Sequence, residues 1–256
     1  MVASARWSRI LFRMNLILLQ PEEVQDCRAV LSDERAKHIR KVLKAEPGKE
    51  LRIGLLNGPL GIGTVESVNV HEVVLNCIFE DTLPARPSVD LLLAMPRPKV
   101  LKRMWAQLAA LGVGKIVLLR AEKVERYYFD SHVIDPDFYN KLLMEGLQQA
   151  RCIHMPEVRI EPLFKPYIED RFESEFSNHW KLLADPSGER RIRDFQSLEN
   201  RRVLLAIGPE GGWTPYEVQM LKTRGFELIG MGDRILRTDT ATIGLLSVLN
   251  ERWSGS

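Results

Sequence analysis

An apolar run that ends in a glycine-rich turn and continues into a capped helix constrains this chain more than any other feature. Residues 203–207 read Val-Leu-Leu-Ala-Ile, a pattern typical of a buried strand, and the turn after them reads Gly-Pro-Glu-Gly-Gly. Thr214 then offers an N-cap, Pro215 suits the first helical turn, and Glu217 completes a capping box. In open α/β sheets, such strand–turn–helix units form ligand sites at the carboxyl ends of the strands.

A second turn of the same kind lies nearer the C-terminus. It follows the apolar residues 226–229, has the sequence Gly-Met-Gly-Asp-Arg-Ile-Leu-Arg-Thr-Asp-Thr-Ala from Gly230 to Ala241, and leads into a helix predicted over residues 240–253. Because glycine has no side chain, the backbone of such a turn can approach a ligand closely. We therefore expect both turns to bind a ligand.

The pattern of strands and helices divides the chain into two predicted domains. Alternating strands and helices over residues 89–256 predict an α/β domain with a mainly parallel sheet. Residues 14–83 contain short strand patterns between turn signals, which predict a small β-barrel with one helix capped by Ser32. Two prolines within residues 84–88 make this segment the predicted linker.

Composition limits the possible partners of the protein. The chain has 36 basic and 34 acidic residues, so its net charge of +2 gives no whole-protein argument for nucleic acid, and any basic patch must be local. No apolar run approaches the roughly 18 residues of a membrane span, so no membrane association is expected. The three cysteines lack metal-ligand spacing, which predicts no metal and reduced thiols in a cytoplasmic protein. Residues 1–13, rich in arginine, are expected to be an N-terminal extension and not a targeting segment.

The two turns also carry a resemblance to known proteins. The sequence Gly-Pro-Glu-Gly-Gly at residues 208–212, followed by G-x-R-I-L-R-T-[ED]-T-A at residues 232–241, is similar to that of RNA methyltransferases of the SPOUT superfamily. In particular it resembles the ribosomal RNA small subunit methyltransferase E family. Further similarities to that family lie in residues 38–44, 111–113 and 148–151, so the resemblance covers almost the whole chain from residue 14.

The resemblance implies a fold, an activity and an assembly. It implies a PUA-like β-barrel before a catalytic domain with a C-terminal trefoil knot, a topology that the rules of chain connection would not predict. It implies methylation of N3 of a uridine in 16S ribosomal RNA, with S-adenosylmethionine as the methyl donor. It also implies a homodimer, which the largely apolar character of residues 240–253 supports.

By the same resemblance, S-adenosylmethionine is expected to contact the two turns and one neighbouring strand. The glycines of the two turns would allow the backbone to contact the adenine and the ribose closely. A Cβ at Gly211 is expected to block that approach. The residues expected to bind the cofactor are Leu183, Ala184, Gly208, Pro209, Glu210, Gly211, Gly212, Met231, Gly232, Ile235, Leu236 and Thr240.

Two residues of the turns are predicted to act in catalysis. Arg237 stays protonated, so it could stabilise a developing uracil oxyanion or hold a phosphate, but it cannot act as a base. Glu210 lies just before a helix N-terminus, where a carboxylate stays ionised and suits the orientation of substrate or cofactor. The alternative for Arg237 is a structural ion pair with Asp239 or Glu210.

Basic and polar side chains at family motif positions are the predicted RNA contacts. Arginine and lysine bind phosphates, although each could equally be a solvated surface charge. The predicted set is Lys37, Arg40, Lys41 and Lys44 in the small domain, with Arg97, Lys99, Gln149 and Arg151 further along the chain. The aromatic residues 127–129 could stack on a splayed base, but packing in the core is the preferred interpretation. The segment departs from the family, whose sequence after the second strand typically ends in a Ser-x pair.

Other functions remain open at this point. The chain could be a SPOUT methyltransferase that acts on tRNA or another ribosomal RNA site, or an RNA-binding protein without catalysis. A nucleotide phosphohydrolase or kinase could use Gly-Pro-Glu-Gly-Gly as a phosphate cradle, but Trp213 and Thr214 stand where Gly-Lys-Ser/Thr would be required. Asp239, where the family has Glu, and Gln148, where it has Glu, put the details of RNA contact in doubt.

Overall fold

A computed structural model describes residues 16–195 and 201–253 of the chain. The chain separates into two compact units: the first runs up to Ala85 and includes Leu147–Met155, and the second comprises Arg86–Gly146 and the residues from Pro156 onwards. Leu147–Met155 is thus grouped with the first unit, although the sequence pattern places it in the predicted α/β domain. The predicted N-terminal extension lies outside the described residues.

The first unit is a six-stranded sheet with one helix. Its strands are β1 (Ile17–Leu19), β2 (Val24–Gln25), β3 (Arg28–Leu31), β4 (Glu50–Leu55), β5 (Leu60–Val68) and β6 (Val73–Phe79), in the order β1-β4-β5-β6-β3-β2. Among the strands that the structure describes in this unit, only β1 and β4 pair in parallel. Alternate residues of the strands, such as Ile53 and Leu75, pack with Ile39 of the helix in one apolar core. Closure of this sheet into a PUA-like barrel stays a prediction.

The helix of the first unit, α1 (Glu34–Lys41), is capped differently from the prediction. Ser32 was the expected N-cap, but Asp33 takes that position with an extended backbone, and its side chain accepts a hydrogen bond from the Arg35 backbone N–H at 2.9 Å. Aspartate also pairs with the Arg35 guanidinium, which serine could not do. Asp33 therefore caps the helix and pairs with Arg35 at the same time.

The second unit contains the parallel sheet predicted for the catalytic domain. Its strands are β7 (Val89–Ala94), β8 (Val113–Leu119), β9 (Glu157–Glu161), β10 (Trp180–Ala184), β11 (Val203–Ile207) and β12 (Glu227–Ile229), in the order β12-β10-β11-β7-β8-β9. All five pairings are parallel. The mixed α/β class with a parallel sheet is thereby confirmed.

Helices alternate with the strands of this sheet, as the sequence predicts. They are α2 (Pro98–Ala110), α3 (Pro136–Ala150), α4 in three parts (Phe164–Pro166, the π-helical Tyr167–Arg171 and Phe172–Phe176), α5 (Pro215–Thr223) and α6 (Thr238–Trp253). The predicted capping box of α5 is confirmed, because Thr214 accepts from the Glu217 N–H and the Glu217 carboxylate accepts from the Thr214 N–H. Helix α6 begins at Thr238, slightly earlier than predicted.

Within residues 16–195 and 201–253, no helix combines the length and the apolar character that crossing a membrane requires. The same residues contain no group of three or more His, Cys, Asp or Glu side chains that could hold a metal ion. All three cysteines are free thiols.

A buried carboxylate anchors the amino-terminal end of the sheet. Asp90, in β7, is 2% exposed, and its carboxylate oxygens lie 2.6 Å from Arg202 Nη2 and 2.8 Å from His179 Nε2. Burial alone would raise the pKa of Asp90, but the hydrogen bonds from His179 and Arg202 outweigh it, and the pKa lies below its ordinary value of 3.8. The ionised carboxylate therefore stabilises the folded state.

Asp90→Asn should lower the free energy of unfolding at neutral pH by about 2 kcal/mol, because it removes the charge that Arg202 and His179 face. A depressed pKa contributes stability above the ordinary value of 3.8 and loses it as the pH falls through the folded-state value, so the difference should shrink in acid. Urea unfolding across this pH range measures it, with the exposed Asp130→Asn as control. A difference between wild type and Asp90→Asn that is absent, or that grows in acid, would contradict this role.

Candidate active site

A cavity of about 300 Å³ lies at the carboxyl ends of β10, β11 and β12. These three strands are neighbours in a parallel arrangement, so the loops that follow them meet at one edge of the sheet. The loop after β10 contributes Asp185 and Pro186, the loop after β11 contributes the first glycine-rich turn, and the loop after β12 contributes the second. Both turns singled out by the sequence thus line one cavity.

Most residues expected to bind the cofactor line this cavity. Those that do are Ala184, Gly208, Pro209, Glu210, Gly212, Met231, Gly232, Ile235 and Leu236, together with the predicted catalytic residue Arg237. Gly212 and Gly232 have φ values of +70° and +102°, which side-chain-bearing residues rarely adopt. The composition of both turns is therefore required by their backbone conformation as well as by the cavity.

Three of the expected residues do not line the cavity. Leu183 is fully buried in β10, and Thr240 is exposed on the first turn of α6. Gly211 is also exposed, and a Cβ at this position would lie 3.0 Å from Cδ of Lys123 and not in the cavity. The expectation that a Cβ at Gly211 blocks the ligand is therefore not supported by the geometry. Sequence spacing could not reveal this, because the direction of each Cβ depends on the fold of the turn.

Trp213 is a lining residue that the sequence analysis did not assign to the site. Its indole is 6% exposed, and Nε1 is buried without a hydrogen-bond acceptor among the described residues. A Cβ at Gly208 would lie 3.0 Å from Cδ1 and Nε1 of this ring, so Gly208 leaves the space that the indole fills. An aromatic residue directly after the glycines was the available signal. Other lining residues that were not predicted are Asp185, Pro186, Ile207, Ile229, Arg234, Thr238, Ala241 and Leu245.

Hydrogen bonds fix the two turns and the loop after β7 to one another. The Thr238 hydroxyl donates to the Gly208 carbonyl at 3.3 Å, which joins the second turn to the first. Glu210 Oε1 accepts from the backbone N–H of Arg97 at 3.1 Å. Arg97 is the N-cap residue of α2, so the helix end that holds this carboxylate is α2 and not the expected α5. Glu210 is thereby held at the cavity in a defined position.

The guanidinium of Arg237 has no ion pair within the described part of the chain. Its two expected alternative partners are engaged elsewhere: Asp239 Oδ2 pairs with Arg103 Nη2 at 3.2 Å, and Glu210 bonds to the Arg97 backbone. Arg237 is exposed and lines the cavity. The structural ion pair considered for Arg237 is therefore not formed, and its charge faces the space that a ligand would enter.

The predicted RNA contacts fall in both units. In the first, Lys37 pairs with Glu34, and Arg40 donates to the Asn69 and Val70 carbonyls. Lys41, Lys44 and Gln149 are exposed, and Arg151 is half-buried. In the second unit, Arg97 and Lys99 are exposed at the start of α2. These positions leave contact with RNA as a prediction.

The aromatic residues after β8 are not core residues. Tyr127, Tyr128 and Phe129 lie in a short 3₁₀ turn, Arg126–Asp130, that has no buried residue, and Tyr127 is 63% exposed. The preferred interpretation of core packing is therefore wrong for this segment. The aromatic side chains suggested burial, but in the 3₁₀ turn Tyr127 is exposed and Tyr128 and Phe129 are only half-buried.

Known proteins resemble this chain over most of its length. A family model described as an RNA methyltransferase domain matches residues 84–250. The chain is 30% identical over 242 residues to ribosomal RNA small subunit methyltransferase E of Treponema pallidum, covering 92% of this chain and 90% of that protein.

Solved structures agree in fold. Ribosomal RNA small subunit methyltransferase E from Neisseria gonorrhoeae bound to S-adenosyl methionine superposes with a TM-score of 0.76 at 20% identity, covering 94% of this chain and 98% of that one. A structure described as a methyltransferase from Legionella pneumophila in complex with the cofactor SAM gives 0.73 at 25% identity, covering 93% and 98%.

Proposed function

Because the chain belongs to the ribosomal RNA small subunit methyltransferase E family of RNA methyltransferases, we propose that it methylates small-subunit ribosomal RNA with S-adenosylmethionine, at N3 of a uridine. The observation that carries the proposal is that both motif turns line one cavity at the carboxyl ends of β10, β11 and β12. The enzyme acts on RNA and needs S-adenosylmethionine as the methyl donor. The N3 target rests on the family resemblance.

The cavity fits S-adenosylmethionine in size and in chemistry. Its volume of about 300 Å³ lies in the range of small-molecule sites. Met231, Ile235 and Leu236 supply apolar contact of the kind an adenine ring needs, and the unpaired Trp213 N–H can donate to a ligand acceptor. The bound cofactor supplies an electrophilic methyl group. Residues of the two turns would hold it so that this methyl faces the RNA.

Arg237 and Glu210 would act on the uracil by position and charge. Methyl transfer requires the nucleophile in line with the methyl, so orientation provides much of the rate. N3 of uridine must lose its proton, and the negative charge that develops on the uracil would be stabilised by the Arg237 guanidinium. Glu210, held by the amino end of α2, would orient the substrate.

We infer the trefoil knot from the family, and two close contacts support it. The loop after β10 crosses the end of β12 so closely that a Cβ on Gly230 would lie 2.1 Å from the Gly188 carbonyl oxygen. Arg252 of α6 donates to the Ile192 carbonyl at 2.6 Å, so the same loop also contacts the last helix. A loop held by both segments is what threading of the C-terminus would produce.

The homodimer is proposed for exposed apolar side chains of the second turn and of α6, three of which also line the cavity. Ile235 is 87% exposed, and Met231, Leu236 and Val248 are also exposed. A second copy of the chain covering these side chains would remove them from water, and two-fold pairing is the commonest assembly of soluble enzymes.

We propose that RNA contacts Lys41 and its neighbours in the first unit as well as Arg97 and Lys99, and that the protein is cytoplasmic.

Gly208→Ala should weaken S-adenosylmethionine binding on the order of ten-fold, because overpacking against Trp213 displaces a wall of the cavity. Calorimetric titration measures the affinity. Gly63→Ala is the control: like Gly208→Ala it overpacks against a side chain, here Cγ2 of Ile53 at 2.8 Å from the added Cβ, but Gly63 does not line the cavity. Unchanged affinity in a folded Gly208→Ala variant would refute this assignment of the cavity.

Arg237→Ala should keep the affinity for S-adenosylmethionine within a few-fold but lower the single-turnover rate of methyl transfer by roughly a hundred-fold, the scale of one lost oxyanion donor. Rapid-quench kinetics with saturating RNA measures that rate. Arg234→Ala removes an equal charge from the same turn and should lose far less. Equal losses in the two variants would show that Arg237 contributes only general charge.

Light scattering at micromolar concentration should give twice the chain mass of 29.3 kDa. Ile235→Asp should give monomers, because it places a charge in the apolar surface of the dimer. Ile78→Asp is the control, since Ile78 is also a solvent-facing isoleucine, in the first unit, 69% exposed. A monomeric, fully active wild type would contradict the dimer.

A further inference from the structure

Two tyrosines next to the candidate active site expose their rings without a structural reason within the described part of the chain. Tyr127 and Tyr128 form an edge-to-face pair with ring centroids 4.9 Å apart and an interplanar angle of 88°. Tyr127 is 63% exposed, and Tyr128 is half-buried. The pair is thus ordered by its own contact, while the larger part of the Tyr127 ring faces water. An exposed aromatic ring of this kind offers a flat surface on which a base can stack.

The pair is joined to the active site through Arg97. The Arg97 guanidinium lies beside the Tyr128 hydroxyl: partial burial raises the pKa of Tyr128, the neighbouring Tyr127 adds to the rise, and Arg97 opposes it. The backbone N–H of the same arginine holds the Glu210 carboxylate at the cavity. A chain of direct neighbours therefore leads from the cavity to the tyrosine pair.

A second attachment fixes the segment that carries the tyrosines. Lys123 Nζ donates to the Gly211 carbonyl at 2.8 Å, which ties the loop after β8 to the first glycine-rich turn. The backbone N–H of Glu122 donates to the buried Glu217 carboxylate of α5 at 2.7 Å. The loop that leads to Tyr127 and Tyr128 is therefore attached both to the first glycine-rich turn and to the helix that follows it.

We propose that Tyr127 and Tyr128 form a stacking platform for an unpaired base of the substrate RNA, adjacent in sequence to the methylated uridine. This inference rests on the proposed function. Single-stranded RNA is recognised by stacking on aromatic rings beside arginine, and Arg97 and Arg126 flank this pair with positive charge for the phosphates. The target base must itself reach the cavity. Because neither tyrosine lines the cavity, the base that stacks on them is a neighbour of the target and not the target itself.

The platform can be tested with small ribosomal subunits purified from a strain that lacks this protein. Tyr127→Ala should weaken binding of the enzyme to these subunits on the order of ten-fold or more, the effect of losing one stacked base. The KM for the subunits should rise by a similar factor, with the affinity for S-adenosylmethionine unchanged. Tyr127→Phe, which keeps the ring, should bind like the wild type. The salt dependence of binding should be the same in all variants, because stacking releases no counterions.

Tyr216→Ala is the matched control, since Tyr216 is also an exposed tyrosine, 53% exposed, but lies on α5 and does not line the cavity. Equal binding by wild type and Tyr127→Ala, or an equal loss in Tyr216→Ala, would overturn the platform. A wild type that binds the subunits but transfers no methyl group would instead contradict the proposed function, while the binding comparison would still decide on the platform.

Discussion

Parallel pairing of β10 with both β11 and β12 places the carboxyl ends of three strands at one edge of the sheet. These strands are far apart in the chain, so the two glycine-rich turns become neighbours only because the sheet brings them together. The shape of the cavity, the buried position of the Trp213 indole and the placement of Arg237 at the cavity all depend on this register. A shift of one residue would turn every side chain of a strand to the other face and separate the turns from each other.

A few polar contacts fix the positions of the two turns and of Glu210 at this edge of the sheet. The Thr238–Gly208 hydrogen bond joins the turns, and the Arg97 N–H holds Glu210 where a loop carboxylate would otherwise move freely. Positioning of this kind suits methyl transfer, in which the protein must align two reactants and stabilise charge without forming a covalent intermediate of its own. Arg237 remains unpaired among the described residues because Arg103 occupies Asp239.

Local signals made much of the fold predictable. The capping box at Thr214 and the apolar run of β11 are determined by neighbouring residues, and both were predicted correctly. Strand β9 was not anticipated from the sequence; its Arg159 is paired with Glu175 of α4 at 2.6 Å, a tertiary contact that the local sequence does not reveal. In the site, composition identified the turns but could not tell Gly208, which faces Trp213, from Gly211, which faces Lys123. That distinction, like the exposure of Tyr127, depends on tertiary contacts.

We propose that this chain methylates N3 of a uridine in small-subunit ribosomal RNA with S-adenosylmethionine. Mass-spectrometric mapping of methylated nucleotides in that RNA, from strains with and without the gene, tests it most directly. We expect one N3-methyluridine to disappear on deletion, and to return when the purified protein and S-adenosylmethionine are added to the undermethylated subunits. An unchanged map, or the loss of a methyl group from a different base or from tRNA, would contradict the account.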